Sequence, residues 1–120
     1  MKRALIIEDN ENNMELITFI LEANGFRTLQ AETGMRGLEI AEAERPDVIL
    51  LDIQLPDILG FEVLSRLRRI PACAGIPVIA VTSYAMAGDR ERLLAAGCDG
   101  YIEKPIDPMR FVEQVNQVLG

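Results

Sequence analysis

Aromatic residues are scarce in this 120-residue chain, at 5% against an apolar fraction of 49%. A core built from such a chain must rely on Leu, Ile, Val and Ala. Basic residues are also in the minority, with 12 Lys and Arg against 19 Asp and Glu and a formal charge of −7. A broad nucleic-acid-binding face needs a basic surface to neutralise phosphates, so that class of function is excluded. An acidic chain favours basic protein partners and divalent cations instead. The only cysteines, Cys73 and Cys98, follow no metal-ligand spacing and are expected to be small buried hydrophobes. No apolar run approaches the roughly 20 residues that span a bilayer. Met1-Lys2-Arg3 is followed by only a few apolar residues before Glu8, which is not a signal peptide. The expected location is cytoplasmic. The length fits one domain, which buries roughly two-thirds of its unfolded surface and folds without a staple.

What the chain has is an alternation of short apolar runs and longer amphipathic stretches. The runs are Ala4 to Ile7, Phe26 to Ala31, Val48 to Leu51, Ile76 to Val81 and Gly100 to Ile102. Continuous runs of this length, rich in Ile, Val and Leu, suit strands buried on both faces of a parallel sheet. Met14, Ile17 and Leu21 share one helical face. Leu64 with Leu67, and Phe111 with Val115 and Val118, repeat the pattern. Asn24-Gly25 and Ala96-Gly97 end the first and fourth helices, and Pro46 stops the second. Five strands and five helices in strict alternation predict a single doubly wound α/β domain with right-handed crossovers.

Ligands of such sheets bind beyond the carboxyl ends of the strands. Glu8 and Asp9 follow the first run, Asp52 ends the third, Thr82 and Ser83 end the fourth, and Lys104-Pro105 follows the fifth. Three carboxylates gathered at one edge repel one another and ask for a cation, and oxygen ligands with room for water suit Mg²⁺, with Mn²⁺ able to substitute. A carboxylate is also a competent nucleophile toward phosphorus. Phosphoryl transfer needs its charge spread over a metal and cationic groups. Lys104, the Thr82 hydroxyl and backbone N–H groups after Asp52 and Thr82 are placed to supply the remainder. Arg66, Arg68 and Arg69 form the one dense basic patch and read as a solvated helix face.

Ile6-Ile7-Glu8-Asp9-Asn10, Leu50-Leu51-Asp52-Ile53-Gln54-Leu55-Pro56, Val81-Thr82-Ser83 and Glu103-Lys104-Pro105, with Gly60 after the acceptor loop, occur in the order and spacing of a receiver domain. Over essentially the whole chain, 1–120, the sequence resembles response regulator receivers of two-component signalling, of the single-domain chemotaxis and cell-division type. The resemblance implies a flavodoxin-like (βα)5 fold with strand order 2-1-3-4-5 and no output domain. It implies that Asp52 accepts a phosphoryl group from a histidine kinase or histidine phosphotransfer protein. Mg²⁺ would be held by the side chains of Asp9 and Asp52, by the Gln54 backbone carbonyl and by Glu8 through water. Lys104, aimed by a cis Lys104-Pro105 peptide, and the Ile53 and Ser83 amides would contact the phosphoryl group. Thr82 and Tyr101 would act as the switch that reshapes the surface of the fourth helix, fifth strand and fifth helix for a protein partner. The chain would not be an enzyme beyond assisting its own phosphoryl transfer and autodephosphorylation. Gln54 and Tyr84 sit where the family tunes hydrolysis, and a bulky Tyr84 is expected to hinder water.

Other uses of this architecture fit less well. Glu8 and Asp9 stand where a flavodoxin-like carrier needs a phosphate-cradling loop. No G-x-G-x-x-G or P-loop is present. A haloacid-dehalogenase-type phosphatase would carry a second acid where Gln54 stands. A phosphorylation-independent interaction module and a receiver cut from a hybrid histidine kinase remain the alternatives.

Overall fold

The computed structural model describes residues 1–83 and 89–120, apart from the Asp89 side chain, and Tyr84 lies outside the described residues. The elements run β1 (Arg3–Ile7), α1 (Glu11–Ala23), β2 (Arg27–Ala31), α2 (Gly34–Glu44), β3 (Val48–Asp52), α3 (Gly60–Arg69), β4 (Val78–Thr82), α4 (Asp89–Ala95), β5 (Gly100–Glu103) and α5 (Phe111–Leu119). All strand pairs are parallel, in the order β2-β1-β3-β4-β5. The predicted fold class and strand order are those observed.

Side chains alternate across the sheet, as strand geometry requires. Leu5, Ile7, Ile49, Leu51, Val78 and Ala80 pack with Leu38, Ala41, Val63, Leu64, Leu67 and Leu93 of α2, α3 and α4. Ala4, Ile6, Val48, Leu50, Ile79 and Val81 pack with Met14, Ile17, Leu21, Phe111 and Val115 of α1 and α5. The sheet is thus buried on both faces, which is why its strands read as unbroken apolar runs. Cys73 and Cys98 are free and buried, as expected.

Two strands start later than their apolar runs. Phe26 N–H donates to Leu21 O and Gly25 N–H to Glu22 O, so Phe26 closes the end of α1 and β2 begins at Arg27. Gly25 holds φ at +89°, the left-handed conformation that this closure needs. Gly97, at φ +113°, ends α4 through the same pair of bonds, Cys98 N–H to Leu93 O and Gly97 N–H to Leu94 O. The fourth run starts at Ile76, yet β4 starts at Val78, because Pro77 has no N–H to give the ladder and offers only its carbonyl, to Ile49 N–H.

The register aligns the strand ends. Ile7 is level with Ala31 and Leu51, Asp52 with Val81, and Thr82 with Glu103. Lys104 N–H then donates to Thr82 O at 2.8 Å. Residues just past β1, β3, β4 and β5 therefore meet at one edge.

Candidate functional site

Each acid at that edge owes its position to a strand end. Glu8 continues β1 by one bond, its N–H donating to Ala31 O at 3.0 Å. The helix-capping duty that an acidic pair might have taken falls to Asn10, whose Oδ1 accepts the Asn13 N–H at 2.9 Å. That leaves the Glu8 and Asp9 carboxylates for the cleft. Glu8 is 2% exposed and Asp52 4%, while Asp9 opens to solvent. One carboxylate oxygen from each of the three lies within 4.8 Å of the others. Among the described residues this is the one cluster of three or more potential metal-ligating side chains with such spacing.

Lys104 faces the same point from β5, 16% exposed in its side chain. Its Nζ lies 2.9 Å from Glu8 Oε1 and 3.5 Å from Asp52 Oδ2. Glu8 Oε1 is buried, and the Lys104 ammonium is its ion-pair partner. The other oxygens are partly served. Asn10 N–H donates to Glu8 Oε2 at 3.2 Å, and Gln54 N–H donates to Asp52 Oδ1 at 2.9 Å. Burial pushes the Asp52 carboxyl up to about 6, and a shared proton contact with Glu8 adds to this. The Gln54 amide and the Lys104 charge pull it down.

One ammonium against three carboxylates leaves the cleft short of positive charge. Hard oxygen donors in this arrangement, with Asp9 open to water, fit Mg²⁺. The Gln54 carbonyl stands on the same loop as Asp52, two residues along the chain.

The remaining predicted residues are distributed around this point. Thr82 is buried at the end of β4, and Ser83 is exposed just past it. Ile53 is buried after Asp52. The Lys104–Pro105 peptide is cis. Tyr101 is half-buried against the α2–α3–α4 side of the sheet.

Two residues have partners that the sequence did not announce, one beside the acceptor loop and one at the opposite end of the sheet. Asp57, in the loop after Asp52, binds the first amides of α2: Gly34 N–H donates to Oδ1 at 2.8 Å and Met35 N–H to Oδ2 at 2.9 Å. These bonds hold its carboxyl below the usual range. Its partners lie 23 and 22 residues earlier, so no local pattern announces them. Arg68 is the other, and it corrects the reading of the basic patch as a solvated face. Its guanidinium donates to Gly97 O, Ala74 O and Ile76 O and pairs with Asp99 Oδ2 at 2.8 Å. Arg66 and Arg69 do lie at the surface, beside Glu62.

The family model of the response regulator receiver domain matches residues 4–116. The chain belongs to this receiver family. A polar-differentiation response regulator DivK from Brucella anthropi is 46% identical over 119 residues, covering 99% of this chain and 97% of the relative. A CheY-like receiver from Methanospirillum hungatei has a structure that superposes with a TM-score of 0.90 at 34% identity, over 99% of this chain and 94% of that one. The receiver of a Pseudomonas aeruginosa sensor histidine kinase, described with a magnesium ion coordinated in its active-site cleft, gives a TM-score of 0.90 at 31% identity, over 99% of this chain and 98% of that one. Receivers are signalling modules rather than conventional enzymes. No helix among the described residues of this receiver is long and apolar enough to cross a membrane.

Proposed function

We propose that this receiver accepts a phosphoryl group on Asp52, in a Mg²⁺-dependent reaction, from the phosphohistidine of a histidine kinase or phosphotransfer protein. The observation that carries the reading is the meeting of Glu8, Asp9 and Asp52 oxygens with the Lys104 amine at one strand edge, with Glu8 and Asp52 buried. An ionised Asp52 oxygen attacks phosphorus, the new O–P bond forms as the P–N bond to the donor imidazole breaks, and the imidazole leaves. Lys104 pairs with the phosphoryl oxygens, exchanging its contact with Glu8 for them. The Thr82 hydroxyl and the Ile53 and Ser83 amides donate to the same group. Asp9, Asp52 and the Gln54 carbonyl, with Glu8 through water, would hold Mg²⁺ or, in its place, Mn²⁺, which would supply the positive charge that the cleft lacks.

The phosphorylated state signals through the α4-β5-α5 surface. Thr82 moves toward the phosphoryl group and Tyr101 follows, shifting an equilibrium between two packings. The output is contact with a protein partner in the cytoplasm, and the chain catalyses nothing beyond its own phosphorylation and dephosphorylation. Acetyl phosphate with Mg²⁺ should label the protein on Asp52, and EDTA should stop the labelling. Asp52→Asn, nearly isosteric, should abolish it while the far-ultraviolet circular dichroism stays unchanged. Full labelling of Asp52→Asn would move the acceptor elsewhere, and no labelling of the wild type would favour a phosphorylation-independent interaction module.

A further inference from the structure

The acceptor loop is pinned at two places, and only one of them belongs to the site. The first pin is at its base. Gly60 N–H donates to Ile53 O at 2.9 Å, and a Cβ on Gly60 would meet Ile53 Cα at 2.5 Å and Asp52 O at 2.9 Å. Only glycine lets the start of α3 lie this close to the end of β3. The second pin is at the tip, where Asp57 spends one carboxylate oxygen on each of the first two amides of α2. Thr33 Oγ1 accepts from Arg36 N–H at 3.1 Å and Thr33 O accepts from Gly37 N–H. Gly37 N–H thus makes the first internal bond of α2, and the three donors before it, Gly34, Met35 and Arg36 N–H, all go to side chains, two of them to a residue from another element. Ile58 seals the contact, since a Cβ on Gly34 would meet its Cγ1 at 2.6 Å. Gln54 lies between the two pins.

We infer that Asp57 is a positioning residue for the metal site: by tying the loop tip to the start of α2, it fixes the Gln54 carbonyl where a divalent ion needs it. The inference rests on the proposed Mg²⁺ site. Small hard cations tolerate little error in ligand placement, so a loosened loop costs affinity without removal of any ligand. The favourable end of the α2 dipole strengthens the tie, because the Asp57 carboxylate sits on it.

The experiment is calorimetric titration with MgCl₂ alone on four proteins: wild type, Asp57→Ala, Asp57→Asn and Thr33→Ala. Asp57→Ala should weaken Mg²⁺ about five- to tenfold. Asp57→Asn removes the same charge but keeps one acceptor oxygen, and should recover part of that loss. Thr33→Ala weakens the start of α2 without touching the loop. It should lower Tm by a few degrees, on the order of a lost cap, while its Mg²⁺ Kd stays that of the wild type. Wild-type Mg²⁺ affinity in Asp57→Ala would overturn the inference. Equal losses in Asp57→Ala and Asp57→Asn would reduce it to long-range charge and overturn it too. Absence of Mg²⁺ binding by the wild type would instead remove the metal site itself.

Discussion

At the scale of single residues, the site is governed by where protons and charges rest. Asp52 holds its proton to about 6 in the folded chain, against an ordinary value of 3.8. Below the ordinary value the folded and unfolded states are both protonated. Between the two values the folded state binds more protons, so stability falls as pH rises through the window and is lowest, in this respect, above 6. Asp52→Asn cannot ionise there. Its urea midpoint should exceed that of the wild type by a margin that widens from pH 4 to pH 7, and saturating Mg²⁺ should narrow the margin by favouring the ionised carboxylate. Parallel midpoints across that range would mean Asp52 ionises at its ordinary value. The acids, Thr82 and Lys104 were readable in the sequence because each stands at the end of an apolar run, and parallel strands carry their ends to one edge. Asp57 was not, because a hydrogen bond to an amide 23 residues away leaves no periodic trace.

At the scale of elements, helix faces and stops were legible because they are local: Met14, Ile17 and Leu21 face inward, and Gly25 and Gly97 take the left-handed turn. Strand starts were less so, since the apolar character of Phe26 and Ile76 serves the core whether or not their backbone joins a ladder. Arg68 shows the same limit. Nothing in Arg66-Leu67-Arg68-Arg69 distinguishes the middle arginine, yet its planar group alone gathers the segment before β4 and the α4–β5 turn onto α3. Asp99 completes the junction by accepting Val78 N–H at 2.9 Å. Arg68→Ala would leave three carbonyls and a carboxylate without this donor, a loss of about 2–3 kcal/mol, or roughly 10 °C in Tm. Arg68→Lys should restore less than half, because a point charge cannot serve both sides of the junction. Arg66→Ala, at the surface, should shift Tm by a degree or two at most, on the order of an exposed ion pair.

At the scale of the whole molecule, Lys104 ties β5 electrostatically to β1 and β3, across the edge that would receive the phosphoryl group. A charge placed on Asp52 competes for that amine and so reaches β5, whose Tyr101 lies against the α4 side of the sheet. Loading with beryllofluoride, which mimics an aspartyl phosphate, should therefore change affinity for a signalling partner in the wild type. In Lys104→Ala, Mg²⁺ binding should persist while the difference between loaded and unloaded affinity disappears. Equal discrimination by both proteins would deny Lys104 a part in signalling.

The two thiols offer a consequence of a different kind. Cys73 and Cys98 lie inside the α2–α3–α4 side of the core, and burial raises both, Cys98 to about 11. Thiolate, the form that alkylating dyes attack, is therefore rare at both positions near neutrality. A fluorophore can be attached through a new cysteine on the outer face of α5 with the native pair left in place, giving a single-site reporter of the resting and loaded states.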